Sequence, residues 1–334
     1  MTKNRHLRCP HCNSTETKKN GHHRGKHRYY CKPCGCYFTD RRAEVSMKNK
    51  EVWFKEWIIG KRTFEQLVCD SPYSERTLKR YFYRMLPRCP IWHIQRREKV
   101  NLLIDGTYFP NKVCLVLYRD ANIRMTIFYR LTDGERFLEL KEDLLNIKRT
   151  GICIESVTCD GGANILKAVR EVCPEAVIQR CTVHIAREVE TWITRKPQSE
   201  ASKELLELVR LLLKIDNQES GQLWLRAFMD WYWRYEPYIN AKSVDEETQR
   251  WWFTHKMLHR SVTHIKRAIP YLFTYTRYDN VPKSSNSIES FFGHLKDNLR
   301  IHRGLSNEHM KGFVKWYLFY KSNQGKLTKS GEKN

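Results

Sequence analysis

No stretch of the 334-residue chain approaches the roughly 18 consecutive apolar residues of a membrane span, so an α-helical membrane protein is excluded. The opening residues Met1-Thr2-Lys3-Asn4-Arg5-His6 lead into no apolar segment, and no secretory signal is expected. Internal repeats and low-complexity tracts are missing as well. Acidic residues are scarce: 37 Asp and Glu stand against 60 Lys and Arg, for a formal charge of +23. A disulfide framework is absent too. Of 12 cysteines, four have metal spacing and the rest are scattered through apolar strands, where buried thiols in a reducing cytosol are expected. What remains is a chain long enough for two or three domains and a sizeable core.

The charge is uneven. Positions 1–100 hold 24 basic and 9 acidic residues, a net of +15, which leaves +8 for the other 234. A basic first third points to a polyanion held through its phosphates, although a basic solubility surface has the same composition. Within 1–40, Cys9-Pro10-His11-Cys12 and Cys31-Lys32-Pro33-Cys34 are separated by 18 residues. That spacing suits one tetrahedral Zn²⁺ on Cys9, Cys12, Cys31 and Cys34. A segment this short builds no adequate core, so the metal would hold it folded. Between the knuckles lie Lys18, Lys19, His22, His23, Arg24, Lys26, His27 and Arg28. Cys36 reads as a bystander.

Residues 47–90 read as helices. Trp53, Phe54, Trp57 and Ile58 share a helical period, and Thr63-Phe64-Glu65-Gln66 is a capping box. After Asp70-Ser71-Pro72-Tyr73, Ser74 caps a helix through Leu86, with Leu78, Phe82 and Met85 facing inward. Two short helices with a basic second member suggest a helix-turn-helix whose Arg76, Lys79 and Arg80 face a DNA groove. An ordinary helical linker bundle is the other reading.

From residue 99 the period changes. Val100–Ile104, Lys112–Arg119 and Arg124–Leu131 are strand patterns, Phe137–Lys148 an amphipathic helix, Ile152–Cys159 a strand, Ala163–Val172 a helix ended by Pro174, and Ala176–Arg180 a strand. This α/β order is that of an RNase H-like core, in which the first and fourth strands are neighbours. Asp105 ends the first apolar run and Asp160 the fourth strand. Glu289 lies near the start of a late helix, in Asn286-Ser287-Ile288-Glu289. Acids at strand ends and helix starts often serve turns and caps. Three of them converging could instead hold two Mg²⁺ (or Mn²⁺) ions for phosphoryl transfer.

Residues 196–280 read as a helical insertion, with a stripe from Leu205 to Leu213. Its Trp224, Trp231, Trp233, Trp251 and Trp252 are expected mostly in the core, with one of the consecutive pair Trp251 and Trp252, on a helix, free to stack on an unpaired base. Residues 281–322 return to the core; Lys296, Arg300 and Arg303 follow Glu289 as candidate DNA contacts, Gly304 ends that helix, and a polar tail follows Ser322. The helix Phe313–Tyr320 has more apolar positions than one core-facing stripe requires, which fits either a dimer interface or burial on both faces within one subunit.

Ile104-Asp105-Gly106-Thr107, Cys159-Asp160-Gly161, Gln179-Arg180-Cys181-Thr182-Val183-His184 and Asn286-Ser287-Ile288-Glu289 together resemble DDE transposases of bacterial insertion sequences, in the Mutator-like group. The resemblance covers roughly residues 99–322, with a zinc ribbon (1–40) and helix-turn-helix (47–90) typical of a subset in front. It implies an RNase H-like fold (99–195 and 281–322) interrupted by the insertion, and Asp105, Asp160 and Glu289 as a metal-binding triad. It also implies a transposase that binds terminal inverted repeats and target DNA; pairing of two element ends leads us to expect a homodimer on them, in the cytoplasm near the nucleoid. A structure-selective nuclease, or a non-catalytic regulator derived from a transposase, would share much of the pattern. Family members commonly have Arg-Asn where this chain has Arg187-Glu188. Cys181 and His184, the group's Cys-x₂-His element, could bind a metal; equally, Cys181 could be a buried thiol, and His184 could support the site's geometry or touch DNA.

Overall fold

The computed structural model describes residues 7–23, 26–94 and 97–322, so Arg24 and the tail after Ser322 lie outside the described residues. In chain order the elements are β1 (Thr17–His23), β2 (Lys26–Cys31), β3 (Tyr37–Thr39), α1 (Asp40–Ile59), α2 (Phe64–Asp70) and α3 (Glu75–Met85). Then come β4 (Lys99–Phe109), β5 (Val113–Asp120), β6 (Met125–Thr132), α4 (Phe137–Arg149), β7 (Cys153–Cys159), α5 (Ala163–Val172) and β8 (Val177–Arg180). The remainder is α6 (Thr182–Ile193), α7 (Glu200–Leu212), α8 (Gln218–Ile239), β9 (Lys242–Val244), β10 (Trp251–Phe253), α9 (Lys256–Ala268), α10 (Asn286–Ile301) and α11 (Asn307–Lys321). No described helix is long and apolar enough to cross a membrane.

The chain divides into two compact units, Met1–Ile91 with Asp297–Lys321, and Trp92–Lys296. The division falls inside α10, and therefore inside the 281–322 stretch. In the first unit β1, β2 and β3 form an antiparallel sheet. Thr63 caps α2 as expected: the Gln66 N–H donates to Thr63 Oγ1 (3.3 Å) and the Thr63 N–H donates to Gln66 Oε1 (3.0 Å). Ser74 precedes α3, but its hydroxyl pairs with that of Thr77 (3.0 Å) instead of capping the backbone. The inward stripe of α3 is Leu78, Tyr81 and Phe82, continued by Leu86; Met85 sits half-buried at its rim, not in the core. Phe54, Trp57 and Ile58 of α1 are fully buried. The Trp57 ring packs against Phe82 (5.2 Å), Phe313 (5.4 Å) and His302 (4.7 Å). Residues 313–320 of α11 are buried or half-buried, none exposed, so this unit itself absorbs the surplus of apolar positions noted there.

The second unit is built on a five-stranded sheet in the order β6-β5-β4-β7-β8. β4–β5 and β5–β6 are antiparallel, and β4–β7 and β7–β8 are parallel. Short turns suffice for the first three strands, whereas the parallel strands need the crossover helices α4 and α5. Apolar residues of both sheet and crossovers, among them Val100, Ile104, Val116, Leu144, Val157 and Val169, make one core. Inside it the Tyr118 hydroxyl donates to Asp143 (2.9 Å), which Arg130 also engages (2.8 Å), so the buried carboxylate of α4 is satisfied from β5 and β6. Cys114, Cys159, Cys173 and Cys181 are buried thiols, but Cys69, Cys89 and Cys153 are exposed. Cys153 starts β7 on the outward side of its in–out alternation.

Residues 182–268 are helical apart from one hairpin. Trp224 and Trp231 lie in the helical core, where their indole N–H groups donate to the Leu208 (2.6 Å) and Ala201 (3.1 Å) carbonyls. Trp233, Trp251 and Trp252 differ from expectation, being 65%, 55% and 47% exposed. Trp251 and Trp252 lie on β10, paired with β9, and not on a helix. The bulky aromatics of Trp251-Trp252-Phe253 suit a strand, too short for helical periodicity to be diagnostic.

Candidate functional site

Asp105 lies within β4, not at its end. Thr107, Tyr108 and Phe109 favour extended backbone and carry the strand onward, with Asp105 opposite Leu117 of β5. On the other flank Ile104 pairs with Cys159 of the parallel strand β7. The next residues, Asp105 within β4 and Asp160 just past the end of β7, therefore lie side by side.

Glu289 reaches Asp105 because the chain is pinned on its return from the helical segment. The Gln179 side chain donates to the Leu272 carbonyl (2.9 Å) and accepts from the Tyr275 N–H (3.0 Å). Thr158 Oγ1 donates to the Pro282 carbonyl (2.9 Å), and the Thr182 N–H donates to that of Lys283 (3.1 Å). The Ser285 N–H then donates to Cys181 Sγ (3.4 Å), and Arg119 of β5 donates to the Ser287 carbonyl (3.2 Å). These bonds fix the start of α10, whose first turn holds Glu289.

Asp105, His184 and Glu289 each offer one ligand atom within 4.8 Å of the others. Arg187 Nη2 lies 2.8 Å from Glu289 Oε2. His184 Nε2 is 3.4 Å from Oε1, an ion-pair distance without hydrogen-bond direction, so the buried Oε1 has no hydrogen-bond partner among the described residues. Asp160 stands outside this trio, and its Oδ1 accepts the Gly162 N–H (2.9 Å). Burial, opposed by His184 and reinforced by Asp160 and Glu289, pushes the Asp105 carboxyl up to about 7. Burial disfavours His184 protonation, but Cys181, Asp105 and Glu289 outweigh it and raise the imidazole to about 9. Burial likewise opposes ionisation of Cys181, yet His184 and the Ser285 donors hold its thiol below the ordinary value.

Two charged residues at this site had no role assigned from the sequence: Glu135, which carried no signal, and Arg180, which lay inside the quoted Gln179–His184 motif. Glu135, in the loop between β6 and α4, lies against Gly106: a Cβ there would collide with its carboxylate. Burial, with repulsion from Asp160, pushes it up to about 7. Arg180, ending β8, is 4% exposed and lies over Gly161, where a Cβ would meet its guanidinium; its Nε has no hydrogen-bond partner among the described residues. A further hint was glycine after each aspartate, Gly106 after Asp105 and Gly161-Gly162 after Asp160. A cavity of about 780 Å³ lined by Lys203, Arg210, Leu211 and Arg234 contains none of these acids.

Cys9, Cys12, Cys31 and Cys34 form a second cluster, with all four sulfurs within 4.8 Å of one another. Cys9 Sγ is 3.6 Å from Cys34 Sγ, and Cys12 Sγ 3.4 Å from Cys31 Sγ. Those separations are too long for disulfides and near the edge of about 3.7 Å that a tetrahedral ion with Zn–S bonds of about 2.3 Å requires. Each knuckle closes by a backbone bond, Asn13 N–H to the Cys9 carbonyl (2.8 Å) and Gly35 N–H to that of Cys31 (2.9 Å). The cluster could hold a metal ion.

Of the candidate DNA contacts, Arg76, Arg80, Lys296, Arg300 and Arg303 are exposed. Lys79 is half-buried and pairs with Glu75 (2.5 Å), and Arg300 pairs with Asp297 (3.4 Å).

A mixed sheet carrying converging acids, in a chain of strong positive charge, has the makings of a DNA-processing enzyme. The chain belongs to the Mutator family of transposases, whose family model matches residues 129–309. That span includes Asp160, His184 and Glu289; Asp105 and the basic front end precede it. Comparison with curated proteins finds no match.

Proposed function

We propose that this transposase binds the terminal inverted repeats of its element as double-stranded DNA, cleaves the element's ends and joins the 3′ hydroxyls to target DNA. The observation that carries the reading is the trio Asp105, His184 and Glu289 within 4.8 Å, with a buried Glu289 oxygen lacking a hydrogen-bond partner among the described residues and Asp160 just past the neighbouring strand. A carboxylate oxygen with no donor, among other carboxylates, fits hard divalent cations. Asp105, Asp160 and Glu289 would hold two Mg²⁺ (or Mn²⁺) ions, which would neutralise the acids and polarise the phosphodiester and the attacking oxygen. Arg187 holds the Glu289 carboxylate in place, and Cys181 and Ser285 orient His184, which is near enough to meet the scissile strand. The sheet order supports an RNase H-like core over 99–195 and 281–322, with 196–280 inserted.

In this reading Zn²⁺ on Cys9, Cys12, Cys31 and Cys34 holds a ribbon over 1–40. α2 and α3 act as a helix-turn-helix within 47–90, with Arg76, Lys79 and Arg80 toward the groove. Lys296, Arg300 and Arg303 meet phosphates. The exposed ring of Trp251, with Lys242 Nζ 4.2 Å from its centre, offers a face for an unpaired base. Coupling of cleavage to pairing of the ends calls for a dimer on DNA.

The test uses the full chain and a duplex carrying the element's ends. With Mg²⁺, 3′-end formation and strand transfer are expected, and Glu289→Gln should lower both by orders of magnitude while a gel shift of the same duplex is unchanged. Cleavage by Glu289→Gln at the wild-type rate would refute the assignment.

A further inference from the structure

The residue after Asp105 and the second residue after Asp160 are both glycines, and the Glu135 carboxylate lies beside each: it fills the space a Cβ on Gly106 would need and stands at ordinary contact distance from one on Gly162. A Cβ on Gly106 would collide with Glu135 Oε1. A Cβ on Gly162 would stand 3.7 Å from Glu135 Oε2 and 3.5 Å from Asp160 Oδ1. The Glu135 carboxylate thus spans the gap between the two aspartate-bearing strands. It is held there by its backbone, since Asn164 Nδ2 of α5 donates to the Glu135 carbonyl (2.8 Å).

A structural duty for this side chain is hard to find. Glu135 precedes α4, where an acid can cap a helix. α4 instead has Arg136 at its N-cap and no side-chain cap bond. None of the ion pairs or side-chain hydrogen bonds among the described residues engages the Glu135 carboxylate. A half-buried carboxylate turned toward another and given no donor raises the electrostatic cost of the fold, unless a cation is shared between them. Asp105, 5% exposed, accepts the Gly106 N–H and no other donor among the described residues, so a second carboxylate at the same gap also has an oxygen without a protein donor.

We propose that Glu135 is a fourth metal-binding carboxylate of the active site, sharing a divalent cation with Asp160 across Gly162. The inference rests on the two-ion reading above and divides the labour within it: Glu289 and Asp105 serve one ion, Glu135 and Asp160 the other. Hard oxygen ligands in this number suit Mg²⁺ or Mn²⁺.

Mn²⁺ binding to the zinc-loaded full chain, without DNA, gives a readout independent of activity. Calorimetric titration, with electron paramagnetic resonance to count bound ions, should find two Mn²⁺ per wild-type chain. Glu135→Gln should weaken one of them at least tenfold and leave the other, and Glu289→Gln should do the reverse. The ion-free Glu135→Gln protein should melt no lower than wild type, because an unpartnered charge has been removed. Glu155→Gln, at an exposed acid paired with Lys99 (2.8 Å), should keep both ions. Retention of two wild-type affinities by Glu135→Gln overturns the inference while leaving the triad intact. Mn²⁺ binding insensitive to Asp105, Asp160 and Glu289 substitutions overturns the two-ion reading itself, and this inference with it. If Glu135→Gln does not fold, Glu135→Asp decides: loss of the same single ion supports the assignment, and wild-type binding refutes it.

Discussion

Gly161 concentrates two separable demands, and Gly161→Ala should feel both. Its φ is +85°, in the left-handed region, and the space a Cβ would enter is filled by the Arg180 guanidinium. Moving an L-residue into that backbone region costs about 1–2 kcal/mol. Displacing a side chain that is 4% exposed is overpacking, which costs about 1–3 kcal/mol more. A total near 3 kcal/mol should lower the melting temperature by roughly 6–12 °C in a unit of this size. Gly151 provides the reference: its φ is +88° and nothing lies within 4 Å of an added Cβ, so Gly151→Ala should show the first cost alone. Urea titrations of both variants give the difference directly. In an Arg180→Ala background the steric part should vanish and Gly161→Ala should fall to the Gly151→Ala value. If Gly161→Ala costs no more than Gly151→Ala with Arg180 present, the guanidinium does not occupy that space and the argument fails.

Two further outcomes follow from other parts of the chain. Burial holds His302 down at about 4 from 6.5, although its bond to the Trp57 carbonyl works the other way. The native state therefore takes up this proton less readily than the unfolded chain. The contribution is complete above pH 6.5 and lost as pH falls through 4, by up to about 3 kcal/mol. His302→Gln should flatten that part of the stability–pH curve, and an unchanged curve would count against it. For the cysteine cluster, Cys31→Ser in the full chain should reduce bound zinc from one equivalent to none and abolish specific binding of the terminal repeats; a wild-type protein free of zinc on metal analysis would end the ribbon assignment.

The sheet was legible because its strands are short apolar runs separated by turn residues, and because a parallel pair joined through a helix has few possible neighbours. The Gln179–His184 stretch was visible as a motif, but its division of labour was not. Gln179 anchors the returning chain, Arg180 covers Gly161, Cys181 accepts from Ser285, and His184 faces the acids. Each of those partners is remote in sequence, so no local period reports it. Glu135 was hidden for the same reason: Asp133-Gly134-Glu135 reads as an ordinary polar turn until Gly106 is seen beneath it. The β9–β10 hairpin was missed because three-residue strands carry no usable alternation. The assignment of Tyr81 and Leu86 over Met85 to the α3 core is a question of helix rotation that apolar character alone does not decide.

The pair Arg187-Glu188 bears on which glutamate serves as third acid. Successive helical residues point about 100° apart. On α6, Arg187 turns to Glu289 (2.8 Å), while Glu188 turns to α9 and meets His264 Nε2 at 2.9 Å. That contact holds the Glu188 carboxyl below its usual range, with burial acting against it. Glu190 is no closer a rival, since it lies 3.9 Å from Arg195 and outside the cluster that contains Glu289. Glu188 faces α9 and lies outside the cluster of acids, whereas Glu289 lies within it and keeps a buried oxygen without a hydrogen-bond donor among the described residues. Glu188→Asn, which introduces the residue common in the family, should therefore leave end cleavage within a few-fold of wild type. Its stability cost should not exceed about 1 kcal/mol, because the lost pair is partly solvent-exposed. Loss of cleavage by orders of magnitude in Glu188→Asn, with DNA binding retained, would transfer the catalytic role from Glu289 to Glu188.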